Sequence, residues 1–104
     1  MLNQERIAEL RDEVGDDGFA EVIGIFCEEV EEVLDQLAAS GASDMAGRLH
    51  FLKGSALNIG MERVGALCLT EEDRLLADPG HQPDIAAIRD AYLASRKVLE
   101  SRNW

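Results

Sequence analysis

The chain has 104 residues, with 10 Lys and Arg against 21 Asp and Glu, a formal net charge of −11 and 46% hydrophobic residues. That length fits a single domain spanning residues 1–104, able to bury roughly two-thirds of its unfolded surface without disulfide or metal staples. The acidic balance excludes a nucleic-acid backbone and an anionic membrane surface as partners, because both are repelled at long range.

No apolar run approaches the ~20 residues of a membrane helix, and the start MLNQERIAELRDE lacks the basic-then-apolar grammar of a signal peptide. A soluble, cytoplasmic protein is expected, and the initial Met1 favours a whole protein over an excised domain.

In chain order, a leading segment from Asn3 to about Val14 places Ile7, Leu10 and Val14 on one face and ends near Gly15. From Asp16 or Asp17 as N-cap, Phe19, Val22, Ile23, Phe26, Val30, Val33, Leu34 and Leu37 recur at helical steps up to SGAS. The opposite face carries Glu21, Glu28, Glu29, Glu31, Glu32 and Asp35 and reads as a solvated surface. A di-metal bundle would need Glu-x-x-His pairs, and neither His50 nor His81 has a Glu at that spacing.

Ser43 offers an N-cap for a second long helix from Asp44 to Ile59, with Met45, Leu49, Leu52, Ala56 and Ile59 on one stripe and Gly60 as its stop. A third helix follows from Met61 through Val64, Leu67, Cys68, Leu75 and Leu76, with a weak, polar middle at Thr70-Glu71-Glu72-Asp73. The stretch DPGHQPD, between Asp78 and Asp84, is the one unambiguous loop. Beyond Pro83, Ile85, Ile88, Tyr92, Ser95, Val98 and Leu99 mark a last helix running nearly to Trp104. The expected fold is all-α: an antiparallel up-and-down four-helix bundle with a short additional N-terminal helix as a lid on one end, closing its own core as a monomer. Cys27 and Cys68 fall inside apolar helical patterns and read as buried thiols rather than a bridge.

One stretch carries chemistry. At about 100° per residue, with His50 at zero, the stripe from Met45 to Ile59 centres near −140°, so His50 faces outward. Around it fall Ala46 and Gly47 one turn before, then Lys53, Gly54 and Leu57 after. Two glycines inside one helix cost about 1 kcal/mol each relative to alanine, which points to a surface that something approaches closely. Lys53 lies within reach of whatever His50 carries, and a cation there favours an anion such as a phosphoryl group. Ser55, at about 140° from His50, lies toward the helix flank and suits a local backbone hydrogen bond; Asn58 and Gly60 finish the helix.

The run His50-Phe51-Leu52-Lys53-Gly54-Ser55-Ala56-Leu57-Asn58-Ile59-Gly60 resembles the signature of histidine phosphotransfer (Hpt) domains, and the chain agrees with that family in length and helix order. The resemblance implies that His50 accepts a phosphoryl group from a receiver-domain aspartate and passes it to another, with Lys53 supplying phosphoryl electrostatics. It implies a docking face on the His50 helix and the long helix before it, with Gly54 permitting close approach. Implied partners are response-regulator receiver domains and a (hybrid) histidine kinase. The chain offers no Mg²⁺ cluster near His50, so the receiver is expected to bring the metal, and Lys53 and Arg48 to steer its acidic pocket.

An autonomous histidine kinase is excluded by the lack of a glycine-rich nucleotide segment or P-loop, and by a length that leaves no room for an ATP-binding domain. The competing reading is a phosphorylation-silent helical module that docks receiver domains through the same face. His81 reads as an inert loop residue. A zinc site from Cys27, His50, Cys68 and His81 lacks close-paired ligand spacing.

Overall fold

The computed structural model describes residues 2–39 and 44–101. Apolar residues at helical spacing give four helices, α1 (Gln4–Ala38), α2 (Met45–Asn58), α3 (Glu62–Ala77) and α4 (Ile85–Ser101), and no strand occurs among the described residues. Helix α1 packs on α2 and α4, α2 also on α3, and α3 on α4, so each helix meets two neighbours in a closed ring. This is the up-and-down four-helix bundle that the stripes predict. Leu34, Leu49, Leu52, Val64, Ile88 and Tyr92 are fully buried at its centre.

The leading segment and the long helix after it are two helical segments joined end to end within α1, and the first ends at Gly15, as its periodicity predicts. Asn3 caps its start by accepting from the Arg6 amide at 3.0 Å, and only Gly15 leaves helical geometry, with φ 77° and ψ 169°. That region is essentially open to glycine alone, so the helical course is interrupted at this one residue and the chain bends there. A new helical segment starts here as expected, but the break falls at Gly15, one residue before the expected cap, and Asp16 and Asp17 already have helical geometry. Val14, expected inward, is exposed beside the bend, whereas Ile7 and Leu10 are buried.

The leading segment closes one end of the bundle by gripping the α2–α3 turn. The Asn3 amide donates to the Gly60 carbonyl at 2.7 Å, Arg6 Nε donates to the Asn58 carbonyl at 3.0 Å, and Leu2 bridges to Met61. The turn is a Schellman cap: the Met61 amide donates to the Ala56 carbonyl at 2.9 Å and the Gly60 amide to Leu57 at 3.1 Å. Gly60 has φ 76°, and a Cβ on it would stand 2.8 Å from Ile7 Cγ1 and 3.0 Å from the Asn3 carbonyl. Glycine is required here both by conformation and by space.

At the start of α2, Asp44 is the cap, its side chain accepting from the Gly47 amide at 3.3 Å. The expected cap, Ser43, lies outside the described residues, as do the rest of the connection and the end at Trp104.

Helix α3 runs unbroken through its polar middle because that middle is anchored. Glu71 is buried at 4% exposure, and its carboxylate accepts from Arg74 Nη1 at 2.8 Å and from the Asp84 amide at 3.3 Å, with His81 Nε2 2.6 Å away. The loop of DPGHQPD is thereby pinned to α3. Asp78 Oδ1 tightens it by accepting from the Gly80 amide at 3.0 Å. His81 is thus a structural residue rather than an idle one. Leu76, expected on the core stripe, is 83% exposed in the last turn of α3, where the stripe has rotated past the core.

The α1–α4 seam is closed by Tyr92, whose hydroxyl donates to Glu31 at 2.6 Å, and by Arg96, which reaches the same carboxylate oxygen at 2.5 Å. Cys27 and Cys68 are both buried free thiols. Burial pushes the Cys68 thiol up to about 12, with the Glu72 carboxylate adding to the effect.

Two outcomes follow from this packing. His81→Ala leaves the buried Glu71 carboxylate short of a partner and should cost about 1–3 kcal/mol, a drop of roughly 5–20 °C in melting temperature, read by circular dichroism. At pH 8 the raised Cys68 thiol holds only about one part in 10⁴ as thiolate, so a thiol-reactive dye should label it on denaturation and not in the folded protein.

Candidate functional site

Helix α2 turns Leu49, Leu52 and Ala56 into the core, which forces His50 out: its side chain is 73% exposed. Ala46, Gly47, Gly54 and Leu57 are exposed on the same side of α2, as the helical wheel requires. Ser55 is buried, while Asn58 lies in the final turn with its carbonyl engaged by Arg6.

The two helix glycines differ in what they permit. A Cβ at Gly54 would meet nothing within 4 Å, so its smallness leaves open surface beside His50. A Cβ at Gly47 would collide with the Asp44 carboxylate, its Oδ1 lying only 2.6 Å off, so Gly47 also serves the helix cap. Leu57 leans over Gly65 of α3, where a Cβ would stand 2.6 Å from its Cδ2. Phe51, half exposed next to His50, adds an apolar group to this face that the sequence pattern did not single out.

Lys53 is drawn inward to 20% side-chain exposure by a residue of α3. Its Nζ donates to Glu72 Oε2 at 3.1 Å, and the same oxygen lies 3.5 Å from His50 Nδ1. The Glu72 side chain is 16% exposed, and among the described residues its Oε1 is a buried oxygen with no hydrogen-bond partner. The site is therefore a triad of His50, Lys53 and Glu72 across two helices. Glu72 escapes the sequence reading, where it is one acid in a polar run. Its signal is its place seven residues, two helical turns, after Gly65, on the α3 face that meets α2.

Arg48, expected to steer partners, hydrogen-bonds through Nη1 to Gln36 of α1. His81 sits on the α3–α4 loop bound to Glu71, apart from the His50 triad. Among the described residues no three His, Cys, Asp or Glu side chains gather as a metal site. A cavity of about 350 Å³ lies elsewhere, between α1 and α4, lined by residues such as Phe19, Ile23 and Leu99. His50 itself stands on open surface, which suits chemistry on a macromolecular partner better than capture of a small substrate.

Among the described residues no helix is long and apolar enough to cross a membrane. No curated protein and no solved structure matches the chain. The family model for the Hpt domain matches residues 21–98, a span that contains the whole of α2 and α3 and the His50, Lys53 and Glu72 triad. The chain belongs to the Hpt domain family, the phosphotransfer modules of two-component signalling.

Proposed function

We propose that the protein relays a phosphoryl group between receiver-domain aspartates, with His50 as the carrier. The observation that carries this reading is His50 itself: a 73% exposed imidazole on an open helix face, inside the span matched by the family.

The chemistry balances without a cofactor on this chain. The lone pair of a neutral imidazole nitrogen attacks phosphorus, the N–P bond forms, and the P–O bond to the aspartate breaks, returning a carboxylate with its electron pair. The ring takes up one positive charge and keeps its remaining N–H proton. The reverse step onto a second receiver repeats these bonds in the opposite sense. Lys53 would offset phosphoryl charge by turning from Glu72 toward the transferring group. A Mg²⁺ ion, where one is needed, would belong to the receiver.

Ala46, Gly47, Gly54 and Leu57, together with Phe51, would form the docking face. An in-line geometry requires the receiver to approach closely, and the empty space over Gly54 supports such an approach.

The first test needs no partner. Phosphoramidate treatment should add one acid-labile phosphoryl group to the wild type and none to His50→Gln, read by intact mass. An unmodified wild type would favour the silent docking module. Lys53→Ala should slow the uptake several-fold and, by leaving Glu72 unpaired, cost about 1–2 kcal/mol of stability.

Gly54→Leu separates docking from chemistry. Phosphoramidate labelling and the melting temperature should hold or rise, since an interior helix glycine costs about 1 kcal/mol. Transfer to a receiver domain chosen from a panel should fall by at least about tenfold, because the side chain intrudes on the approach.

A further inference from the structure

The cavity between α1 and α4 belongs neither to the His50 face nor to the contacts that close the bundle. It measures about 350 Å³, at the lower end of the roughly 300–1,000 Å³ of ligand pockets and enough for one large aromatic group. Phe19, Ile23 and Leu99 give it an apolar wall, and Arg11, Asp16 and Glu100 a charged one. It also straddles the bend in α1, since Arg11 precedes Gly15 and Phe19 and Ile23 follow it.

The register of the two helices says which part of the chain arrives there. Asp35 meets Arg89, Glu31 meets Arg96, and the Cys27 carbonyl accepts from the Tyr92 hydroxyl, so α4 runs antiparallel to α1. Carried on at that register, position 104 comes level with about residues 15–23 of α1, the stretch that supplies most of the cavity wall. Leu99 and Glu100 line the cavity from the last turn of α4, and the sequence continues past Ser101 as Arg102-Asn103-Trp104. Three residues span about 5 Å as helix and about 10 Å extended, so either course keeps the side chain of residue 104 within reach.

We propose that Trp104 seats its indole in this cavity and so braces α4 against both arms of the bend at Gly15. An indole has a large apolar body, a face that attracts a guanidinium, and one N–H that needs an acceptor. The cavity meets each need: Phe19, Ile23 and Leu99 take the body, Arg11 the face, and the Asp16 carboxylate the N–H. Asp16 is suited to this, because its side chain is 91% exposed and its contact with Arg11 is a long 3.9 Å. The contact stands apart from the relay chemistry and needs no receiver.

Trp104 is the single tryptophan of the chain, so its fluorescence reports on this one contact. Excited at wavelengths that spare Tyr92, the folded wild type should emit to the blue of the urea-unfolded chain and be about threefold or more less sensitive to acrylamide, a neutral quencher. Ala20 lies exposed on the cavity wall, so Ala20→Lys obstructs the cavity without touching the core. It should return emission and quenching toward the unfolded values with the circular dichroism spectrum unchanged. Trp104→Ala should lower the melting temperature by about 4–8 °C, and adding Ala20→Lys to it should cost little more, because the two changes remove the same contact. A freely quenched, red-emitting indole in the folded wild type would overturn the proposal and leave the cavity to a small ligand. Shielding that Ala20→Lys leaves intact would overturn it as well. Shielding that fades on dilution, with dimers seen by sedimentation, would seat the indole in a second copy and overturn the intramolecular contact.

Discussion

The register of the α2–α3 hairpin decides what the rest of the molecule can do, and the turn at Gly60 sets that register. Leu57 meets Gly65 and His50 meets Glu72, and the midpoint of both pairs falls at Met61. Two antiparallel helices leaving a tight turn stay in step only if the turn has one geometry, and here the Schellman bonds at Gly60 and Met61 impose it. The leading segment then bonds to the carbonyls of Gly60 and Asn58, so the same few residues hold both the end of the bundle and the alignment of the site. A single glycine carbonyl thus connects the start of the chain to the placement of Glu72, twelve residues and about 18 Å further on.

That dependence explains what could be read in advance. The outward direction of His50 follows from the stripe of Leu49, Leu52 and Ala56, and it needs no knowledge of other helices. The helix ends at Gly60 and at the DPGHQPD loop follow from local chemistry too. Glu72 does not, because its meeting with His50 depends on how two helices are aligned. Glu71 is an intermediate case: Val64, Cys68, Glu71 and Leu75 lie at helical steps, so its burial is written in the sequence, but a carboxylate among them reads as an interruption until its partners from the loop are known. The break in α1 at Gly15 was legible too, and only its cap was misplaced. A glycine followed by two aspartates is the grammar of a stop and a new start, and the glycine itself takes the non-helical position, so both aspartates already lie in the second segment.

Charge within the site is arranged differently from charge over the surface. The chain as a whole is acidic, by 11 charges, which opposes the approach of another acidic protein. Next to His50 the nearest cation, Lys53, is already paired with Glu72, so the resting triad adds little field of its own. The proposed docking would therefore rest on shape and apolar contact at Gly54, Leu57 and Phe51. On the proposed relay reading, a phosphoryl group on His50 would compete with Glu72 for Lys53.

The neighbouring glutamates show how a small bundle divides such tasks. A carboxylate withdrawn from water is tolerated when its oxygens are satisfied, and Glu71 meets that condition with a guanidinium, an imidazole and a backbone amide. One residue later the condition is relaxed, and the shortfall lies on the only face where an exposed histidine stands. The stability of the ring of four helices permits that departure, because the core of Leu34, Leu49, Leu52, Ile88 and Tyr92 closes without any contribution from the triad.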